Sequence, residues 1–425
     1  MKALPLRLTA SPDLPPSALA TYRAQRTAEI LRMFSVGVTG ISDAVLRRSL
    51  DATELQVAIF LAFIASGHFL ASFWGAAMEG RSKRPFFILG AVLSRLVLLL
   101  LILWGHPVWF ILVFAVSAWA DPCFLIAQNS LFQSNYPAGM RARLVSRVNM
   151  YGRVAFLAGA IVGAALLDLH PDRASWILAT GAFVGFWGVY AYARIPFENP
   201  REAPGSRRRA FRRMFSDVAA ILRENPAFRR YEAYYMIYGF AFMILWTVNV
   251  FLLVDDFHVT YKEFSLARQL LVQGGIVLAY PLAGRSMDRR GPYWTAALAF
   301  LSLTLHPAFL AAAVWTREIA FVWAGFLSFG LSMAAVDVTW NFAAMHFARD
   351  RDASPFMGVH IFLVGIRGTL GPFAGLALYR LSGFYAVMGV SFALFLAAGL
   401  LMAFSSDRRS EEAAGLVEKA SDLAR

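Results

Sequence analysis

Charge is scarce in this chain. Asp, Glu, Lys and Arg make up only 16% of its 425 residues, while hydrophobic residues make up 58% and the mean hydropathy is +0.55. An ordinary soluble domain carries about 25% charged residues, so a soluble globular enzyme is a poor fit. Cysteine is almost missing: Cys123 stands alone, which excludes an intramolecular disulfide framework. Histidine is sparse, and His68, His306 and His360 share no metal-ligand spacing. His306, just before Pro307, reads instead as a polar group compensating a helix kink. No Gly-x-x-x-x-Gly-Lys run occurs, so no phosphate cradle and no ATP-driven step is expected. Asp255-Asp256 lacks the second acidic motif that a diphosphate site would need. The first 26 residues hold Pro5, Pro12, Pro15 and Pro16 and no unbroken apolar core, which argues against a cleavable signal peptide. No cofactor or metal is expected.

Apolar runs are plentiful. A hydrocarbon core about 30 Å thick needs ~20 apolar residues per helix. Runs of that size fall at 27–46, 55–76, 85–105, 107–128, 146–167, 174–194, 231–254, 263–284, 293–315, 319–342, 356–378 and 384–405. The expected fold is an all-α polytopic membrane protein with twelve transmembrane helices in two pseudo-symmetric six-helix halves, 27–194 and 231–405. Residues 1–26 and 406–425 are tails. Residues 195–230 form a linker with Arg207-Arg208-Arg209 and Arg212-Arg213. Its second part, 212–224, could lie on the membrane as an amphipathic helix, although a charged tether is the plainer reading. Most of the 40 Lys and Arg fall on the side of both tails, which puts that side in the cytoplasm. The net charge of +13 then reflects topology and attraction to anionic lipid rather than nucleic acid, since no soluble module is long enough to present a basic patch.

One signature occurs twice. Gly75-Ala-Ala-Met-Glu79-Gly-Arg81-Ser-Lys83-Arg84 lies between the second and third runs, and Gly284-Arg-Ser-Met-Asp288-Arg289-Arg290-Gly291 lies between the eighth and ninth. Each sets a carboxylate four residues after a glycine, with bases following. The pair resembles the loops between helices 2 and 3 and between helices 8 and 9 of the major facilitator superfamily. Glu79 replaces the usual Asp, and Ser82 replaces the second Gly. The resemblance implies a transporter moving a small organic solute, with Gly75, Glu79, Lys83 and Arg84 in one cytoplasmic latch and Gly284, Asp288, Arg289 and Gly291 in the other. Each carboxylate would pair with bases or with a helix N-terminus of the opposite half. The plainer alternative is that these bases only anchor loops at the lipid surface. Span five has glycines without a following proline, and Gly371-Pro372 lies in span eleven, a departure from the superfamily's drug–proton antiport pattern.

Polar residues inside the runs are costly in lipid and face a cavity or a partner. At helical spacing, Arg32, Ser35, Thr39 and Asp43 form a stripe on span one, and Ser117, Asp121 and Gln128 one on span four. Tyr235, Tyr238, Phe242, Trp246 and Asn249 do so on span seven, and Gly330, Asp337 and Asn341 on span ten. Spans one, four, seven and ten are those that line the central cavity in the family resembled. Asp121 can pair with Arg153 at similar depth, although Arg95 competes; Asp337 and Arg367 form the corresponding candidate pair. These charges either fix helix register or carry a coupling proton, through Asp43, Asp121 or Asp337. The glycines of spans five and eleven should let those helices approach a neighbour closely.

The expected function is secondary transport by a monomer in the cytoplasmic (inner) membrane, with protons as the candidate coupling ion. A membrane-embedded enzyme, a lipid-handling protein or a non-transporting solute sensor are the alternatives. Reporter fusions after Arg26, within 195–230 and after Ser406 should all signal cytoplasm; a periplasmic signal from the linker would defeat the six-plus-six arrangement.

Overall fold

The computed structural model describes residues 16–78, 81–196, 218–348 and 354–423, and every regular element among them is a helix. Eight stretches are long and apolar enough to cross a membrane. Two of these, Tyr261–Thr316 and Phe356–Ser405, run to 56 and 50 residues. At 1.5 Å per residue a straight helix of that length would be about 75–85 Å long, far beyond one crossing. Both are broken by glycines at positive φ, Gly291 and Gly383, each at φ 74°. Only glycine takes that conformation without a steric cost, so each acts as the corner where one helix ends and the next begins.

The first two runs fold differently from a plain spanning helix. Helix α1 begins at Pro16 and extends to Thr39, so it takes in part of the expected N-terminal tail. Its early turns are amphipathic and bury Ala18, Tyr22 and Gln25. The chain bends at Gly40-Ile41 into α2 (Ser42–Arg48), which separates Asp43 from the stripe on α1. The second run comprises α3 (Glu54–Ser66), a 3-10 turn over Gly67–Phe69, and α4 (Leu70–Met78). A capping box starts α3, in which Thr53 accepts from the Gln56 amide and Gln56 accepts from the Thr53 amide. Helix α5 (Arg84–Ser94) turns into a 3-10 helix over Leu96–Ile102 at Arg95, whose backbone is non-helical. Then come α6 (Pro107–Asn135), α7 (Ala138–Leu169) and α8 (Ala174–Tyr192).

The second half opens with α9 (Pro226–Phe251), which widens into a π turn over Leu252–Asp256. Short α10 (Tyr261–Ser265) leads through another π turn, Leu266–Leu271, into α11 (Val272–Leu303). Helices α12 (Leu305–Thr316), α13 (Ile319–Ala348) and α14 (Ser354–Leu423) complete the chain. Of the expected amphipathic linker helix, residues 218–224 are helical, with Val218, Ile221 and Leu222 against the core. Its earlier part lies outside the described residues.

Glycines decide which helices touch. A Cβ on Gly159 of α7 would lie 2.1 Å from the Phe34 carbonyl oxygen of α1, and one on Gly37 of α1 would lie 2.1 Å from the Phe156 carbonyl oxygen of α7. The two backbones are therefore in contact with no side chain between them. In the second half, Gly375 of α14 meets the Ile244 carbonyl of α9 in the same way, with 2.5 Å to a would-be Cβ. Spans five and eleven thus do pack closely, on spans one and seven. Replacing Gly159 with Leu should cost ~1–3 kcal/mol or more from overpacking. A lower melting temperature of the purified variant would register it; an unchanged one would mean that the α1–α7 contact is loose.

Candidate functional site

Charges inside the helices come almost entirely in answered pairs. On α1, Glu29 holds Arg32 at 2.6 Å and also accepts from the Tyr192 hydroxyl at 3.0 Å. Gln128 of α6 donates to the same tyrosine oxygen at 2.8 Å. Arg32 lies over the Phe124 ring, 5.3 Å from its centroid. Glu29, one turn before Arg32, supplies the balancing charge on span one.

Asp121 pairs with Arg95 at 3.0 Å. Its expected partner Arg153 points elsewhere, so the Asp121–Arg153 pairing is corrected. Similar depth along two helices does not fix the direction of a side chain around the axis. The break from α to 3-10 geometry at Arg95 brings that guanidinium to α6, where Ser117 also caps the Ser94 carbonyl at 2.7 Å. Arg153 instead crosses to the second half. It donates to the Gln273 side-chain oxygen at 2.6 Å and stands 3.9 Å from Asp337. Asp337 also accepts from the Tyr280 hydroxyl at 2.5 Å.

The Asp337–Arg367 pairing is likewise corrected. Arg367 is buried against α9, where it donates to the Tyr235 carbonyl at 2.6 Å and lies over the rings of Tyr235 and Tyr238, 5.3 Å from each centroid. Gly239 makes room for it: a Cβ there would sit 2.0 Å from the guanidinium. One turn set further along, Glu232 accepts from His360 Nδ1 at 3.0 Å, with both side chains buried. The helix breaks at Thr304, just before His306-Pro307, but the imidazole turns to neighbouring helices. It bridges the Gly325 carbonyl through Nδ1 at 2.8 Å and the Asn249 amide through Nε2 at 3.3 Å. Trp246 and Phe242 form an aromatic wall with Phe329.

One group was absent from the sequence reading altogether. Arg268 sits in the π turn before α11, hydrogen-bonds to Asp43 of α2, and stacks on Trp246 at 3.8 Å. An arginine inside an apolar run is itself a signal in the sequence. The Asp43–Arg268 bridge joins the two halves and lies deepest in a set of contacts at the ends of the helices away from the repeated signature loops. Arg47 grips Asp255 at 2.8 Å, which raises the guanidinium's proton affinity above its ordinary value through that hydrogen bond. Ser49 bonds the Tyr261 hydroxyl at 2.5 Å, and Arg380 pairs with Glu54 at 2.8 Å. Asp168 accepts from the backbone amides of Tyr261 and Lys262 at 2.7 and 3.0 Å, capping α10 of the opposite half.

The signature loops lie at the other end. Glu79 is outside the described residues. Gly75 sits in α4, and Lys83 is buried, donating to the Met78 carbonyl that ends α4. Arg84, Asp288 and Arg289 are exposed. Among the described residues Asp288 and Arg289 form no ion pair, and Gly291 next to them forms the corner into the ninth run. One end of the molecule is therefore sealed by polar contacts between the halves, while the second signature stands clear at the other.

A family model described as Major Facilitator Superfamily matches residues 27–372. The chain belongs to the major facilitator superfamily. Solved structures of the superfamily agree on the fold. The nucleoside transporter NupG has a TM-score of 0.68 at 14% identity, covering 91% of this chain and 99% of that one. A D-xylose–proton symporter has a TM-score of 0.67 at 12% identity, with 91% and 96% covered. The human organic anion transporter MFSD10 has a TM-score of 0.63 at 17% identity, with 92% and 100% covered. No curated protein sequence matches.

The corrected pairing makes a sharp test. Asp121→Asn should strand the Arg95 cation, at ~3–5 kcal/mol by comparison with other buried pairs. Adding Arg95→Gln should recover part of the lost melting temperature, whereas adding Arg153→Gln should not. Recovery by Arg153→Gln alone would return the partnership to Arg153.

Proposed function

We propose that this protein is a secondary active transporter that carries a small organic solute across the cytoplasmic membrane by alternating access. Twelve crossings with both termini cytoplasmic account for the eight long apolar stretches, two of them folded at Gly291 and Gly383, together with the broken first and second runs. The observation that carries the reading is the asymmetry between the two ends. Contacts from Asp43–Arg268 out to Arg380–Glu54 close one end. At the other, Asp288 is exposed, and Asp121, Arg153 and Asp337 are about one-third or more exposed in the interior. A site reachable from one side and sealed from the other is one of the two states that alternating access requires. With the termini inside, this state faces the cytoplasm.

The second signature is then an open latch. Asp288 and Arg289 gain partners when the cytoplasmic end closes, and the first copy, with Glu79, Lys83 and Arg84, would take part in the same closure. The solute would meet Arg153, Asp121 and Asp337 together with the aromatic wall that includes Tyr238 and Trp246. Asn249 and Arg32 are already engaged by His306 and Glu29, so they act as supports of the site. A solute-sensing role would need the same cavity but no net flux.

Uptake and efflux of a panel of organic solutes in proteoliposomes, with and without a pH gradient, tests this directly. Asp288→Asn should insert normally yet transport several-fold more slowly, because the outward-facing state loses its cytoplasmic latch. Absence of flux for every solute, with intact binding, would favour the sensor. Unchanged rates in the variant would reduce the loop to a lipid anchor.

A further inference from the structure

The second run is gripped from two opposite sides. On one, a Cβ on Gly67 would lie 2.5 Å from the Ala118 carbonyl oxygen of α6. On the other, a Cβ on Gly368 of α14 would lie 2.6 Å from the Ala65 Cβ, and one on Gly365 would lie 2.7 Å from the Phe69 ring. Two faces are left. One meets lipid: there the Trp119 indole donates to the Phe63 carbonyl at 3.2 Å and the Ser66 hydroxyl at 2.8 Å, and Val108, Leu112 and Val116 continue an exposed apolar strip along α6. Val57, Leu61, Ile64 and His68 recur on the opposite face at steps of three and four. Exposure rises along that face. Val57 is fully buried at the sealed end, Leu61 is half-buried, Ile64 is 37% exposed and His68 is exposed. This face therefore passes from the seal into the open space between the halves, and His68 stands where it emerges.

The break between α3 and α4 fixes the ring. His68 lies in the 3-10 turn, and its Nδ1 is 2.8 Å from the Ala65 carbonyl. A carbonyl can only accept, so Nδ1 holds the hydrogen and Nε2 of the neutral ring carries a lone pair. Nε2 has no partner among the described residues. His306 differs, because both of its nitrogens are engaged, and His360 differs because it is buried. Resting on the transporter reading above, we infer that His68 is a solute-contacting, specificity-determining residue, whose Nε2 accepts a hydrogen bond from an uncharged N–H or O–H group of the solute. The solute is then a neutral polar compound of the alcohol, amide or nitrogen-heterocycle class. An analogue of the same shape with that hydrogen replaced by methyl strips water from Nε2 and returns nothing, so the site rejects it. The Ala65 carbonyl holds the acceptor in place, and the 3-10 turn is what aims the ring there.

The test has two arms, both on the full-length protein. In inside-out vesicles, His68→Cys should react with a membrane-impermeant methanethiosulfonate, because the thiolate that reacts forms only where water reaches. Phe73→Cys, exposed on the lipid side, should not react, and buried Cys123 sets the background. The second arm uses matched probes: theophylline and caffeine, catechol and veratrole, benzamide and its N,N-dimethyl derivative, xylitol and its permethyl ether. At least one donor-bearing probe should slow the labelling of His68→Cys and raise the melting temperature of the purified protein, where its methylated partner does neither. His68→Leu should lower that probe's affinity about tenfold, the upper worth of one neutral hydrogen bond, and bring it level with the methylated partner. His68→Gln, which keeps an acceptor, should recover most of the affinity. Unliganded melting temperatures report folding for each variant. No labelling of His68→Cys, equal labelling of Phe73→Cys, no probe that protects, or affinity unchanged in His68→Leu would each overturn the assignment. Proteoliposome flux separates this from the wider reading. Flux indifferent to His68→Leu defeats the contact but keeps transport, whereas donor-dependent binding without flux does the reverse.

Discussion

A guanidinium within a membrane helix bundle must be met by a carboxylate, a carbonyl or an aromatic face, because the surrounding hydrocarbon offers it nothing. Arg32, Arg95, Arg153, Arg268 and Arg367 all lie within apolar runs, and each is met in a different way. Arg32 uses a glutamate one turn away on its own helix, and Arg95 an aspartate on a neighbour. Arg367 takes a carbonyl and two tyrosine faces. Arg268 takes an aspartate from the opposite half together with a tryptophan face. These requirements constrain the packing at least as strongly as apolar burial does, since lipid tails compete evenly for apolar side chains but not for charges.

The same requirement makes the seal unequal along its depth. Arg380–Glu54 and Arg47–Asp255 lie at the rim, where water can replace either partner, so each is worth roughly 0–1 kcal/mol. Asp43–Arg268 is buried on both sides, and separating it strands two ions unless water enters with the opening. Opening the sealed end therefore hinges on that one bridge more than on the larger number of contacts outside it. The π turns at Leu252–Asp256 and Leu266–Leu271 carry Asp255 and Arg268, and such widened turns leave the helix less regularly bonded where it has to yield.

The fold was highly legible because hydrocarbon thickness and glycine spacing both leave a mark in one dimension. Run lengths located the helices, and Gly159 and Gly375 announced close approaches that the structure contains. Partners were less legible, because they depend on rotation about helix axes. Asp121 had two arginines at suitable depth, and only the 3-10 break at Arg95 decided between them. Asp43 looked like part of the α1 stripe until the bend at Gly40 carried it onto α2 and to Arg268. The second signature was legible as a motif, but whether a latch is engaged belongs to a conformation and has no one-dimensional signature.

Arg153 and Arg367 show how a repeated plan yields unlike outcomes. Both stand on a helix that packs closely against the first helix of its own half. In the second half Gly239 of α9 leaves a niche, and Arg367 fills it, withdrawn from the space between the halves. In the first half the glycine is on the arginine's own helix instead. Gly152 faces α1, where a Cβ would meet Met33 and Glu29 at 3.0 and 3.1 Å. The next residue is turned about 100° around the helix, so Arg153 is directed away from α1 and reaches α11 and α13 of the other half. The same position in the two halves thus holds a cation buried in a niche of its own half and one that is 40% exposed and reaches the opposite half.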